Sequence, residues 1–323
     1  MKRRQLATAL AAFTLAFTVV HSAQAQTDFP RQPVKIVVPF PPGGPTDTVA
    51  RLLAQKLQEA WGQPVLVDYK PGAGTVIGAD FVAKAAADGY TIGMVNSSLA
   101  VNPTLRKKLP YDTQKDLAGV TQLFNMQLAI VARPDAPFNN VKELIAYARS
   151  HPGRLNYGTP GAGSTTHLGA ELLKREAGFE MQHVALKGSA PAHTELLGGR
   201  LDLVVDPLLS VLPFVQAGKM KLIATMGDKR VAGHDFPTVG ETVPGFGVGA
   251  LLGFVVPAGT PKAVLHKIHT DTVKALAAPD IQKRAQEFGL QVVGSSPEQF
   301  DAFIAREMKR WGRIVTEARI EQE

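Results

Sequence analysis

Two loops of this chain combine glycine, proline and hydroxyl-bearing residues in patterns that could bind an anion. Residues 40–47 read Phe-Pro-Pro-Gly-Gly-Pro-Thr-Asp, and residues 159–165 read Thr-Pro-Gly-Ala-Gly-Ser-Thr. Each loop follows an apolar stretch and precedes a helical pattern, so free N–H groups and the helix dipole at its end favour a negative charge. The alternative is an ordinary strand-to-helix connection in which Thr46, Asp47 or Ser164 caps the helix.

Ser164, His167 and Asp206 are the residue types of a hydrolase triad, but their spacing argues against catalysis. The Gly-x-Ser-x-Gly elbow is absent, because Ala162 and Thr166 occupy the two glycine positions. Ser164 and His167 also fall within one helical turn, which is a poor geometry for a base to reach a nucleophile. We therefore expect no enzymatic activity, and we assign His167 to packing or hydrogen bonding behind the loop.

The glycine patterns do not predict a nucleotide site. The second loop lacks the lysine that follows the glycines of a phosphate-binding loop, and Gly72, Gly74 and Gly78 miss the dinucleotide spacing by one residue. His266 and His269 lie three residues apart in a helical pattern, but no third metal ligand is evident near them. We expect neither a cofactor nor a metal ion.

The first 25 residues have the layout of a secretory signal peptide. Three basic residues precede an apolar run from Leu6 to Val20, and a Ser-Ala-Gln-Ala cleavage pattern ends at Ala25. Cleavage there lowers the formal net charge from +7 to +4, which does not favour nucleic acid as a partner. The chain contains no cysteine, so the fold depends on its core alone. These features predict a periplasmic protein.

Strand and helix patterns alternate in two successive series, which predicts α/β units with parallel sheets and right-handed crossovers. The predicted strands span residues 34–38, 65–69, 90–95, 155–159, 182–186, 201–205 and 222–225.

The segments between and after the two series suggest how the chain passes between them. Residues 128–132 and 251–256 predict strands that leave the first unit and return to it, whereas residues 116–122 look irregular. Residues 262–317 predict helices and no further strand. We therefore expect two lobes, with residues 26–125 and 253–323 in lobe 1 and residues 126–252 in lobe 2. Ligands of such sheets lie beyond the carboxyl ends of the strands.

Several separate motifs occur in a characteristic order along nearly the whole predicted mature chain. They include residues 35–47, 68–74, 88–91, 156–164, 187–191 and 257–261. In these motifs the chain resembles the Bug family of periplasmic solute receptors, which are the TctC-like binding components of tripartite tricarboxylate transporters.

The resemblance implies a type II periplasmic binding fold, in which two α/β lobes joined by crossover strands close around a cleft. It implies a small carboxylate ligand, an organic acid or an amino acid, bound largely by backbone groups and waters of the two loops. It also implies integral membrane transporter subunits as partners, and we expect a monomer. The alternative function is a periplasmic ligand sensor or scaffold that does not feed transport. Pro41 and Pro42 depart from the family pattern and remove two N–H donors.

The expected ligand contacts come from the two loops and the neighbouring strand ends: Phe40, Pro41, Gly43, Gly44, Pro45, Thr46, Asp47, Asn96, Ser97, Thr159, Gly161, Gly163, Ser164, Thr165, His167, Lys187 and Asp206. Asp47 and Asp206 each have two interpretations, ligand contact or helix cap. The loops contain no Arg or Lys, so N–H groups, hydroxyls, helix dipoles and water must supply the affinity for an anion. Arg51 and Lys187, the nearest cations, should matter less than the loop glycines.

Overall fold

The computed structural model describes residues 28–231 and 233–317, so the predicted signal peptide lies outside the described residues. The strands are β1 (Val34–Val38), β2 (Val65–Tyr69), β3 (Thr91–Asn96), β4 (Leu117–Ala132), β5 (Asn156–Thr159), β6 (Gln182–Ala185), β7 (Leu203–Pro207), β8 (Lys221–Thr225), β9 (Gly249–Pro257) and β10 (Leu290–Val292). The helices are α1 (Pro45–Trp61), α2 (Val76–Ala83), α3 (Ser98–Leu105), α4 (Val141–Ser150), α5 (Thr165–Ala177), α6 (Ser189–Leu197), α7 (Leu208–Gln216), α8 (Lys262–Leu276), α9 (Pro279–Glu287) and α10 (Pro297–Glu317). None of these helices is long and apolar enough to cross a bilayer.

The first unit is a parallel arrangement in which β1 lies between β2 and β3. Val34, Ile36 and Val38 of β1 belong to the main core together with Leu53 of α1. The side chain of Val37 points to the opposite face, where it packs in a second core with residues of α2. The strand is therefore covered on both faces, as its nearly unbroken β-branched sequence predicts.

Strand β4 is the longest strand of the described chain and joins the two units. Its first part pairs with β9 and β10, and its last part, from Leu128 to Ala132, pairs with β7 and β8. The prediction that residues 116–122 are irregular is wrong, because most of them belong to β4. Register shifts at Gly119/Thr121 and at Gln122/Phe124 interrupt the two-residue alternation that would have revealed the strand.

The C-terminal tail contains a strand, contrary to the prediction of helices alone. Strand β10 has three residues and pairs antiparallel with β4 between Phe124 and Met126. Its hydrophobic pattern is too short to be recognised, and only the pairing with β4 defines it.

The second unit has β5 between β6 and β7, again in parallel. The carboxyl ends of β3 and β7 approach the same part of strands β4 and β9 from opposite directions. Asn96 of β3 pairs with Leu252, which pairs with Phe124 of β4, whereas Pro207 of β7 pairs with Leu128. These rows are four residues apart on β4, roughly 13 Å at the usual rise of a strand. The loops that follow the strands of both units therefore face one region of the molecule.

Candidate functional site

Helix α1 begins directly after the first glycine-rich loop, with Pro45 as its first residue. Gly44 is the N-cap residue, with φ −90° and ψ 175°, and no side chain caps the helix. The prediction that Thr46 or Asp47 is the cap is therefore wrong. Proline is favoured as the first helical residue, because its φ is fixed near the helical value and it has no N–H that needs an acceptor.

The carboxylate of Asp47 supports this loop from inside the first turn of α1. It accepts hydrogen bonds from the Gly43 N–H (2.8 Å) and the Tyr69 hydroxyl (2.7 Å), and it forms an ion pair with Arg51 (2.8 Å). Burial raises the pKa of this carboxyl, but the three partners outweigh that effect and the pKa is lowered overall. The geometry therefore favours a structural role for Asp47 over ligand contact.

The backbone of Gly43 and Gly44 borders open space. Gly43 has φ +88°, which favours glycine, and a Cβ at either position would meet no protein atom within 4 Å. The hydrogen-bond ladder of α1 starts at Gly44 O, which accepts from the Thr48 N–H at 3.1 Å. The amides of Thr46 and Asp47 therefore precede the ladder and can donate to a bound group.

Ser164 is the N-cap residue of α5, at the end of the second glycine-rich loop. Its Oγ accepts from the His167 N–H at 3.3 Å and donates to Gly161 O at 2.7 Å. Gly163 has φ +68° and donates its N–H to Nδ1 of His167 at 3.1 Å. The capping alternative for Ser164 is thus realised, and His167 supports the loop by hydrogen bonding as predicted.

Thr165, the first residue of α5, is 5% exposed. Its Oγ1 has no hydrogen-bond partner among the described residues. The ladder of α5 starts at Ser164 O, which accepts from the Leu168 N–H at 3.0 Å, so the amides of Thr165 and Thr166 precede it. Buried polar atoms without partners are rare in native proteins, so the Thr165 hydroxyl is available to a bound group.

Thr159 is fully buried beneath this loop. Its Oγ1 lies 3.1 Å from Gly161 O and 2.8 Å from Nε2 of His183, and the ring of His183 stacks on that of His167 with centroids 3.8 Å apart. Burial lowers the pKa of His183 to about 4, and the neighbouring His167 contributes to this effect. Thr159 therefore connects the loop to two imidazoles instead of facing solvent.

The remaining predicted contacts differ in how accessible they are. Phe40 is half-buried against the core, whereas Pro41 and Lys187 are exposed. The Oδ1 of Asn96 accepts from the Ser98 N–H at 3.1 Å, and Oγ of Ser97 accepts from the Leu251 N–H at 3.0 Å. The Asn96 and Ser97 side chains therefore fasten the carboxyl end of β3.

Asp206 does not cap the helix that follows it, which is one of its two predicted roles. It is 0% exposed, its Oδ2 lies 2.7 Å from Nε2 of His193, and its Oδ1 accepts from Oγ of Ser189 at 2.9 Å. Burial raises the pKa of Asp206 even though His193 and Ser189 act in the opposite direction. Asp206 therefore does not cap α7, whose N-cap residue is Pro207, and its carboxylate is already enclosed by α6.

The three residues of the hypothetical triad do not form a catalytic arrangement. Asp206 pairs with His193, whereas Nδ1 of His167 accepts from Gly163. The hydroxyl of Ser164 is directed to a backbone carbonyl. No group of three or more His, Asp or Glu residues within the described chain could hold a metal ion.

Residues 49–320 match the family described as "Tripartite tricarboxylate transporter family receptor". The chain belongs to this family. It is 34% identical over 293 residues to BugT of Bordetella pertussis, and the match covers 90% of each chain.

Solved structures of related proteins share the fold of this receptor. The periplasmic binding protein BugD has 34% identity and a TM-score of 0.85, with 91% of this chain and 100% of that chain covered. The R. palustris protein Rpa4515, solved with adipate, has 32% identity and a TM-score of 0.85, with 90% and 98% covered. MatC of Rhodopseudomonas palustris, solved with malate, has 32% identity and a TM-score of 0.81, with 89% and 100% covered. The type II periplasmic binding fold is thereby confirmed.

Sequence reasoning does not single out four side chains of this receptor that complete the networks described above: Tyr69, His183, Ser189 and His193. Their partners are distant in sequence, since Tyr69 is 22 residues from Asp47 and His183 is 24 residues from Thr159. Of these four residues, only Tyr69 could have been placed near the site from the sequence. Pairing β2 with β1 in parallel places Tyr69 opposite Val38, at the carboxyl end of β1 and next to the loop.

The stability of the receptor should decrease as the pH falls from 6.5 towards 4, in part because of His183. The unfolded chain binds a proton on this residue near pH 6.5, whereas the folded state resists protonation until about pH 4. The unfolded state therefore binds more protons in this window, and acidification favours it by about 1–3 kcal/mol. Urea unfolding at pH 7.5, 6.0 and 5.0 measures this dependence. His183→Gln, which keeps a donor for Thr159, should have a shallower dependence, and equal slopes would contradict the assignment.

Proposed function

We propose that this receptor binds a small dicarboxylate in the periplasm and delivers it to the membrane subunits of a tripartite tricarboxylate-type transporter. The observation that carries the proposal is the pair of helix N-termini, α1 and α5, each of which follows a glycine-rich loop and presents amides ahead of its hydrogen-bond ladder. Two such N-termini can hold an anion without a cationic side chain. Adipate and malate, found with two relatives, are both dicarboxylates.

Backbone groups of residues 43–47 and 161–165 are the proposed direct contacts. The open space next to Gly43 and Gly44 lets a carboxylate approach the α1 amides closely. The unpartnered Oγ1 of Thr165 is a candidate donor on the other side. Lys187, two residues before α6, is exposed and adds a positive charge.

The two sides of the site belong to different lobes in this proposal. Lobe 1 comprises residues 26–125 and 253–323, lobe 2 comprises residues 126–252, and β4 and β9 are the crossover strands at the hinge. The division is supported by β4, whose first part pairs with β9 and β10 and whose last part pairs with β7 and β8. Ligand contacts with both lobes then favour the closed state by population shift, and the membrane subunits recognise that state.

Titration with malate and adipate should raise the melting temperature and make the receptor more compact. A ligand at 100 times its Kd stabilises the folded state by about 2.7 kcal/mol, because it binds the folded and not the unfolded chain. Differential scanning fluorimetry and small-angle X-ray scattering measure the two effects on a monomeric sample, with a monoamine of similar size as the control. Dicarboxylates that change neither quantity would contradict the proposed receptor function. A thermal shift without compaction would instead favour a ligand-binding protein that does not close.

The mature receptor should start at Gln26. The basic, apolar and Ala-x-Ala-like segments of residues 1–25 predict export and cleavage after Ala25. Intact mass spectrometry of protein isolated from the periplasmic fraction tests this expectation. A species that retains Met1, or that begins far from Gln26, would show that the segment is not a cleaved signal.

A further inference from the structure

Two stacked histidine rings lie against the second glycine-rich loop and are bonded to it at two points. The rings of His167 in α5 and His183 in β6 have centroids 3.8 Å apart and an interplanar angle of 13°. Nδ1 of His167 accepts from the Gly163 N–H at 3.1 Å, and Nε2 of His183 lies 2.8 Å from Thr159 Oγ1. The imidazole pair is therefore hydrogen-bonded to both Gly163 and Thr159.

The hydrogen bonds identify where the imidazole protons must be. Because Nδ1 of His167 accepts an N–H, the proton of this neutral ring is on Nε2. The hydroxyl proton of Thr159 is used in its bond to Gly161 O at 3.1 Å, so Thr159 Oγ1 accepts from Nε2–H of His183. Both rings thus carry a proton on Nε2. The accepting Nδ1 shows that the His167 ring is neutral, and burial, which lowers the pKa of His183 to about 4, keeps the second ring neutral as well.

We propose that the stacked His167–His183 pair positions the loop of residues 159–164 for anion binding and makes this binding pH-dependent, because the loop keeps its shape only while both rings are neutral. The inference rests on the proposed function of this loop as an anion site. A proton on Nδ1 of His167 converts the acceptor of the Gly163 N–H into a donor, so that the bond is lost. A second positive charge on His183, stacked on the first, is strongly disfavoured.

Two carboxylates and one ammonium group lie around the pair. Glu171 of α5 has its Oε1 at 4.0 Å from Nε2 of His167. That oxygen accepts from the Tyr157 hydroxyl of β5 and from Nζ of Lys174, and Lys174 also pairs with Glu180 ahead of β6. The positive charge of Lys174 opposes protonation of His183, and the carboxylate of Glu171 favours it. A proton added to His167 therefore faces a carboxylate oxygen that already accepts two other hydrogen bonds.

The first test uses the ligand-free receptor. In a ¹⁵N NMR titration from pH 7.5 to 5.0, both imidazoles should show the Nε2–H form at pH 7.5. The amide signal of Gly163 should then shift with the same midpoint as the His167 ring. A Gly163 amide that does not follow His167, or an Nδ1–H form of either ring at pH 7.5, would overturn the proposal.

The second test compares two variants with malate and adipate as probes. His167→Asn keeps an acceptor near the Nδ1 position but cannot titrate, whereas His167→Phe keeps a stacking ring without an acceptor. At pH 7.5, His167→Asn should bind about tenfold more tightly than His167→Phe, near the upper range for one hydrogen bond. Between pH 7.5 and 5.0, the wild-type receptor should lose about tenfold more affinity than His167→Asn. Protonation of the ligand weakens binding to both proteins equally, so the difference reports on His167.

The two tests separate this inference from the proposed function. Equal affinities of the two variants, or a wild-type affinity that rises on acidification, would overturn the positioning role. If the wild-type receptor binds neither probe at pH 7.5, the proposed function fails, and the NMR titration still decides whether the histidine pair holds the loop.

Discussion

A Gly44→Asp substitution should abolish binding of malate and adipate while the receptor remains folded. Gly44 is the N-cap residue of α1, and its φ of −90° is accessible to any residue. Asp is a favoured N-cap residue, so the free energy of unfolding should change by no more than about 1 kcal/mol. Its carboxylate would accept from the amides of Thr46 or Asp47 and repel the ligand. We expect affinity to fall about 100-fold or more, since hydrogen bonds to a charged group contribute about 1.5–3 kcal/mol each.

Isothermal titration calorimetry and urea unfolding measure the two parts of this prediction. Gly44→Asn is the matched control, because it offers a similar cap without the charge and should reduce affinity by about tenfold. Lys187→Ala, which removes an exposed cation, should have a smaller effect than either. Gly163 is a less suitable position, since its φ of +68° strains any other side chain whether or not a ligand approaches. Full affinity in Gly44→Asp, or loss of binding in Lys187→Ala, would contradict binding by backbone groups and would favour a pocket that binds the anion by a salt bridge.

Replacing Asp206 by Ala should destabilise the receptor by about 1–3 kcal/mol, the range for leaving a buried hydrogen-bonding group without its partner. Asp206 is 0% exposed and is bonded to both His193 and Ser189 at the start of α6. Its loss leaves the buried imidazole of His193 without its partner, which costs free energy in the folded state only. Urea unfolding at pH 7.5 gives the change in the free energy of unfolding.

The double variant Asp206→Ala/His193→Ala is the control for this pair. Since the two residues are in contact, the cost of the double variant should be smaller than the sum of the single costs by about 0.5–3 kcal/mol. A result of another kind for the single variant would instead support ligand contact by Asp206. If Asp206→Ala unfolds like the wild-type receptor but no longer binds malate or adipate, Asp206 acts on the ligand and not on the fold.

Local patterns of the sequence were sufficient to predict the two glycine-rich loops and the helices that follow them. A run of β-branched residues, a Gly/Pro turn and a helical apolar spacing are all encoded within about twenty neighbouring residues, as in β1, its loop and α1. The motif order along the chain added the family, and with it the fold and the class of function. The predicted start of α1 differs from the observed one by only two or three residues, because Pro45 and not a polar side chain determines it.

The sequence also determined where the charge of the site cannot come from, since neither loop contains Arg or Lys. It did not determine which polar side chains remain available to a ligand. That depends on pairs distant in sequence, such as Asp47 with Tyr69 and Asp206 with His193. Only the tertiary structure assigns these carboxylates to the protein's own donors, because burial and hydrogen bonding follow from how the strands pair.

Pairing between strands likewise decided the features that no local pattern shows. The register shifts in β4 hide its alternation, and β10 is a strand only because its three residues pair with β4. The stacking of His167 and His183 depends on β6 pairing with β5, which places His183 opposite Tyr157, below the loop that His167 supports. The sequence by itself thus determined the local units and the family of this receptor, whereas long-range contacts, which have no local signal, decided the support of its site.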